Sequence, residues 1–464
     1  MRRKPPAFLL AVLLLSLPLS AGASVTMEKE LGEDFLRRAR RSMPLVDDHE
    51  LLSFCGDLGD RIVASLGVQP FDYEFLVVAD DSLNAFSVPG GKIFLHAGLV
   101  ARAGSEDELA GVLAHEIAHA HAHHVVRQQQ KTASASYASI LGLLLSAVSP
   151  ALGQAALAVG VQAKLKYQRD FEREADLLGV DYAAKAGFEP AAMLRFLRVM
   201  HDERAMNPTM VPPYLQSHPL TGERMAYLEA ALGRSEWLTE PGSAGWPMQR
   251  AQAVARANSE SRRGATADYE RRLALAKDSE EKGRAAELLG LLMVHGEDFA
   301  SARPYLERAE KGGREVAREL GRAYLRLGML EEAEPRLKAA ARARPQDWDL
   351  MADLGVLSYQ QGDYSAAVAA LESSLRSHSF RPRVERWLGR ALDKLGERGR
   401  GFFHFAQAAE LEGHGGQALS YYRKAFTELA QGELKERTAA RIKELETELR
   451  PSPPAVPRRR REVR

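Results

Sequence analysis

The sequence predicts a mainly α-helical chain of the α+β class, with a helical domain built around a small β-sheet and then a solenoid of helix pairs. Three observations predict it. A stretch rich in β-forming residues, Tyr73 to Leu99, is flanked on both sides by segments with apolar residues at helical spacing. The second half carries an internal repeat with a period of 34 residues. The only cysteine is Cys55, so no disulfide within the chain substitutes for core burial. At 464 residues there is room for two or three domains, and 45% hydrophobic with 27% charged residues is an ordinary globular composition. A formal charge of +1 gives no sign of a nucleic-acid partner.

Residues 1–23 read as a secretory signal peptide. Arg2, Arg3 and Lys4 precede an apolar run from Ala7 to about Leu17, and Ala21 and Ala23 supply the small residues of a cleavage site. Residues 24 to about 60 read as amphipathic helix, with Leu31, Phe35, Leu36, Leu51, Leu52 and Phe54 as apolar positions. Cys55 closes the apolar run LLSFC and suits a buried small hydrophobe. Tyr73–Asp81 reads as a strand, and Asn84–Leu99 as strand, Pro-Gly-Gly turn, strand. Ser105 with Glu108 forms a capping box, and Leu109, Val112, Leu113 and Ile117 follow at helical spacing.

Thr132 to Ala163 contains no charged residue, and Pro150 with Gly142, Gly153 and Gly160 divides it into pieces short for a membrane span. It reads either as a buried helical hairpin or as a flap that gates substrate or touches a membrane surface through 138–162. Helices are expected over 165–187, 190–204 and 221–232. The first domain is expected over 24–239, and the Pro- and Gly-rich stretch from Glu240 opens an expected linker, 240–265.

Beyond it, Leu320, Gly321, Gly328, Ala333 and Leu337 recur as Leu354, Gly355, Gly362, Ala367 and Leu371, then in part as Leu388, Gly389 and Gly396. With Tyr324, Ala340 and Pro345 this pattern resembles the tetratricopeptide repeat, expected over 266–447. Such helix pairs bury their apolar faces only by stacking, which makes a concave groove suited to protein partners. The basic, proline-rich tail 448–464 is expected to be disordered.

The chemistry concentrates in HEIAH, His115 to His119. On a helix the two histidines lie about 40° apart in projection, so both imidazoles reach one ion. Glu116, beside the first of them, stands where a general base acts. A catalytic metal needs a third protein ligand and an open position. In FEREADLLG, Glu172 and Asp176 share a helix face: Glu172 suits the ion, and Asp176 suits the outer N–H of a ligand histidine. Glu174 is on another face. His121, His123 and His124 read as solvated or as supporting groups behind the ligands.

HEIAH and EREADLLG, with NAFSVPGG upstream and SHPLTGER downstream, resemble the zinc metallopeptidase family of the CAAX prenyl endopeptidases and the heat-shock protease HtpX. The signal peptide and the repeats make the likeness greatest to its periplasmic branch of β-barrel assembly-enhancing proteases. The resemblance covers about residues 30 to 430. It implies a zincin-like metallopeptidase domain holding one Zn2+ per chain through His115, His119 and Glu172, with Glu116 as general base. It also implies a periplasmic endopeptidase acting on polypeptides in outer-membrane protein quality control, its repeats recruiting substrate or assembly machinery. The strand Asn84, Ala85, Phe86, Ser87 and Val88 reads either as an edge that holds substrate backbone or as part of a core hairpin. His218 reads either as an oxyanion donor or as a fourth zinc ligand that keeps the enzyme latent. The alternative from another class is a repeat chaperone or scaffold with a largely closed metal site.

Overall fold

The computed structural model describes residues 20–131, 169–206, 213–232, 243–258, 262–378 and 381–449. The uncharged segment 132–163, residues 1–19 of the stretch expected to be a signal peptide, and the tail from Arg450 lie outside them. The chain divides into two compact units, Met1–Asp298 and Phe299–Arg464.

In the first unit the expected helical stretch 24–60 is two helices, α1 (Ser20–Ser42) and α2 (His49–Ala64). Pro44 lies in the connection, where Leu45 forms a bridge to Val78, and Asp48 caps α2 by accepting from the Leu51 amide at 3.0 Å. Three strands follow: β1 (Glu74–Val78), β2 (Ala85–Val88) and β3 (Lys92–His96). Their order is β1-β3-β2, with β1 parallel and β2 antiparallel to β3. Successive side chains alternate between the faces of the sheet. Leu76, Val78, Val88 and Phe94 pack with Leu31, Phe35 and Leu36 of α1. Phe75, Val77, Ala85, Ile93 and Leu95 join the larger core on the other face. Burial on both faces explains why β1 and β3 are near-continuous apolar runs rather than alternating ones.

After the short helix α3 (Ala97–Arg102), α4 (Glu106–His121) runs through the larger core and is buried from Glu108 to Ala120. Ser105 caps it, accepting from the Glu108 amide at 3.3 Å, while the Glu108 carboxylate accepts from the Gly104 amide at 2.7 Å, one residue earlier than the usual reciprocal bond. α5 (His124–Lys131) continues beyond a bend at His123, whose φ is +55°. α6 (Arg169–Lys185) packs along α4, and α7 (Ala192–Met206), α8 (Pro213–Ser217) and α9 (Gly222–Leu232) complete the layer.

The expected linker 240–265 is not a simple tether. It holds α10 (Trp246–Ala257), whose Met248, Ala251, Val254 and Ala255 belong to the main core. Their spacing makes a helical stripe, which the neighbouring Pro and Gly residues obscured in the sequence. Arg250 of α10 pairs with Glu50 of α2 and with Glu287 of α12 (Ser279–His295), so α12 and its partner α11 (Arg262–Leu275) belong to the first unit.

The second unit is a series of helix pairs: α13 (Phe299–Lys311), α14 (Ala317–Arg326), α15 (Leu330–Ala343), α16 (Trp348–Gln360), α17 (Tyr364–Ser377), α18 (Pro382–Lys394), α19 (Arg398–Leu411), α20 (Gly415–Glu428) and α21 (Glu433–Glu448). The repeated glycines have physical roles here. A Cβ on Gly321, Gly355 or Gly389 would meet Leu337, Leu371 or Phe405 at 2.9, 2.6 or 2.8 Å, so each glycine lets the paired helices touch. Gly328, Gly362 and Gly396 form the turns within the pairs at φ of +77°, +86° and +81°, where glycine carries no Cβ penalty. Among the described residues no helix is long and apolar enough to cross a membrane.

Candidate metal centre

Four side chains far apart in sequence converge. His115 and His119 come from α4, Glu172 from the first turn of α6, and His218 from just beyond α8. One donor atom from each lies within 4.8 Å of the others. The Nε2 atoms of His115 and His119 are 3.0 Å apart. Glu172 Oε1 is 3.4 Å from His119 Nε2, and Oε2 is 3.8 Å from His115 Nε2. His218 Nδ1 is 3.0 Å from Glu172 Oε1 and 3.3 Å from His115 Nε2. All four are buried. Three imidazoles and one carboxylate are a donor set that suits a borderline cation such as zinc.

Glu116 is fully buried, and neither carboxylate oxygen has a hydrogen-bond partner among the described residues. Its Oε1 lies 3.6 Å from His218 Nε2. A buried carboxylate left this way is costly unless something polar meets it, and buried polar atoms in folded proteins are nearly always partnered. The orphaned oxygens beside converging donors therefore fit a site that takes an ion and water.

Behind the donors stands a charged frame. Asp176 Oδ1 is 3.0 Å from His115 Nδ1. Arg224, in the first turn of α9, donates to both Asp176 oxygens at 2.7 Å and to the His218 carbonyl at 3.2 Å, and it lies 3.1 Å from Glu172 Oε2. The Tyr227 hydroxyl also donates to Asp176, and Tyr214 stacks on His218 at 4.6 Å. Thr221 caps α9, accepting from the Arg224 amide at 3.1 Å. Burial alone would raise the Asp176 carboxyl, but Arg224 and His115 hold it down to about 2. Burial likewise opposes the Glu172 carboxylate, and His218 and His119 outweigh it, lowering its pKa well below the usual range. Burial pushes His119 well below the ordinary imidazole value, whereas Glu172 and Glu116 overcome burial at His218 and raise it.

Arg224, Tyr227 and Tyr214 were not singled out from the sequence. Arg224 lies inside the quoted stretch SHPLTGER, but its partners are on α6, and only folding joins them. The remaining histidines separate. His121 meets Gln69 and His123 meets Glu28. His124 is fully buried, with its Nδ1 2.9 Å from His119 Nδ1, its Nε2 3.3 Å from Glu174 Oε2 and its ring stacked on Phe171. Glu174 in turn pairs with Arg127 at 2.9 Å.

Gly179 lets the two donor-bearing helices approach closely. A Cβ there would lie 3.1 Å from the His115 amide nitrogen and 3.2 Å from its Cα, so α6 rests directly on the backbone at His115.

β2 packs against α4 and, among the described residues, has a strand neighbour on one side only. Ala85, Ser87 and Val88 are buried, while Asn84 and Phe86 are half-buried. Phe86 stacks on its cross-strand partner Phe94 at 4.8 Å.

Residues 56–232 match peptidase family M48, and residues 318–382 and 353–409 match the tetratricopeptide repeat. Over 217 residues the chain is 35% identical to the beta-barrel assembly-enhancing protease of Yersinia pestis and 34% identical to that of Escherichia coli K12, in each case over 45% of this chain and 44% of the relative. It is 30% identical over 223 residues to the mitochondrial metalloendopeptidase OMA1 of Schizosaccharomyces pombe, over 47% of this chain and 63% of that protein. The matches thus span under half the length of the assembly-enhancing relatives. The chain carries an M48 peptidase domain followed by tetratricopeptide repeats, and all four converging donors and Glu116 lie within the M48 segment.

Proposed function

We propose that the chain is a zinc endopeptidase in which His115, His119 and Glu172 hold the ion and Glu116 is the general base. The observation that carries this reading is the pair of unpartnered, buried Glu116 oxygens beside the donor cluster. Zinc held there supplies Lewis acidity toward a peptide carbonyl and toward water. Glu116 takes a proton from the water that attacks the scissile carbonyl and returns it to the departing amide nitrogen. Asp176 orients His115, and Arg224 keeps Asp176 and Glu172 ionised against the cost of burial. The open side of β2, Asn84 to Val88, aligns substrate backbone by strand addition.

His218 acts as a fourth protein donor that keeps the site latent. What supports this over the oxyanion role is its Nδ1, which sits among the donor atoms, 3.0 Å from Glu172 and 3.3 Å from His115. The named relatives support a periplasmic role in the assembly or quality control of outer-membrane proteins, with the repeats recruiting substrate or a protein partner.

Metal analysis with casein digestion tests the core of the reading. Wild type is expected to hold one zinc per chain and to cleave, while Glu116→Gln holds zinc without cleaving. A wild-type chain without zinc, or cleavage that persists in Glu116→Gln, overturns it.

A further inference from the structure

We infer that His124 is a positioning residue for the metal centre. It accepts the outer N–H of His119 and so fixes which nitrogen His119 offers to the ion, while Asp176 faces the outer nitrogen of His115. This rests on the reading that His119 is a ligand.

The hydrogen count carries the argument. The two Nδ1 atoms of His119 and His124 are 2.9 Å apart, so one carries the hydrogen and the other accepts it. His119 Nε2 faces His115 Nε2 and Glu172, and to donate its lone pair there it must carry its hydrogen on Nδ1. His124 Nδ1 is then the acceptor, and the hydrogen of the His124 ring sits on Nε2. That atom lies 3.3 Å from Glu174 Oε2, a carboxylate that can only accept. The direction of the His119–His124 bond thus follows without a free choice, and the Glu174 carboxylate faces the far nitrogen of the His124 ring. The His124 ring has little room to turn, since it is fully buried and stacked on Phe171 at 4.6 Å and 20°. Glu174 is held in place by Arg127. Glu174, which the sequence reading set aside as facing away from the ion, belongs to the site through this chain.

The arrangement gives the two ligand histidines unlike supports. His115 leans on a carboxylate bound by Arg224, while His119 leans on a neutral ring whose carboxylate lies one residue further out and is partly exposed. Supports of this kind are worth about 10- to 100-fold in metal affinity.

The test is zinc affinity of the full chain, measured by chelator competition, with far-UV circular dichroism of each metal-free variant as the check on folding. His124→Phe keeps the ring and its stack but has no acceptor, and it is expected to weaken zinc by about 10- to 100-fold. His124→Asn sets an amide oxygen near the Nδ1 position and is expected to recover most of that loss. A purely structural role predicts the opposite order, because Phe preserves the packing better. Wild-type affinity in His124→Phe, or no recovery in His124→Asn, overturns the inference while leaving the peptidase reading intact. A wild-type chain that binds no zinc overturns both. If His124→Phe does not fold, Glu174→Ala decides: its expected result is weakened zinc binding, and unchanged affinity there overturns the inference.

Discussion

The Nδ1 atom of His115 lies 3.0 Å from a carboxylate oxygen of Asp176, and both side chains are wholly buried. The carboxylate faces the outer nitrogen of the ring, and Nε2 faces the other donors. Asp176→Ala is expected to lower zinc affinity by about 10- to 100-fold. It also takes two hydrogen bonds from the buried Arg224 guanidinium, which keeps Glu172 and the His218 carbonyl as partners, and is expected to cost about 1–3 kcal/mol of stability. Chelator competition and urea unfolding read the two effects separately. Unchanged zinc affinity would remove the orienting role from Asp176.

His218→Ala separates a latch from a catalytic donor. With Nδ1 among the donor atoms, removal is expected to weaken zinc binding and to raise casein cleavage severalfold at saturating zinc. Loss of cleavage with zinc still bound would instead assign His218 to oxyanion stabilisation.

His123 makes stability depend on pH. Its hydrogen bond to the buried Glu28 carboxylate raises its pKa above the ordinary 6.5, against the opposing effect of burial. The folded state therefore holds the proton more tightly than the unfolded chain. That stabilisation is complete below about pH 6.5 and is lost as the pH rises through the folded value. Urea midpoints of wild type and His123→Gln, compared at pH 6 and pH 8, are expected to converge at the higher pH. A constant difference would contradict the assignment.

Gly355 tests the repeat geometry. Alanine in a helix gains about 1 kcal/mol over glycine. Its Cβ would, however, come within 2.6 Å of the Leu371 side chain, and such overpacking costs about 1–3 kcal/mol. Gly355→Ala is expected to lower the melting temperature of the repeat unit. A rise would mean that α16 and α17 separate without cost.

The sequence made legible whatever repeats or lies close along the chain. The i, i+4 spacing of His115 and His119 placed both on one helix face, and the i, i+4 spacing of Glu172 and Asp176 did the same on α6. The 34-residue period marked the glycines at which helix pairs touch. The sheet was legible as strands, and its order was not, because β1 pairs with β3 rather than with its neighbour β2. The parts of the site that escaped are tertiary. Arg224 and Tyr227 meet Asp176 across 48 and 51 residues, and no local pattern encodes those pairings. His124 looked like one more polar residue past the motif, and only the bend at His123, with its positive φ, turns it back beneath His119. α10 was hidden for a related reason: the Pro and Gly residues before it read as a tether, while the stripe Met248, Ala251, Val254 and Ala255 spoke for a core helix.

The contact between Gly179 and the backbone of His115 has a consequence for how the centre is assembled. Two helices that touch main chain to side-chain-free main chain have no slack to take up, so the ion is not needed to draw them together. The pairing of α4 and α6 is therefore expected to hold without the ion, unlike a zinc finger, whose fold is created by its ion. Removal of the metal is thus expected to leave a folded chain with its donors in place rather than an unfolded one, ready to take the ion up again.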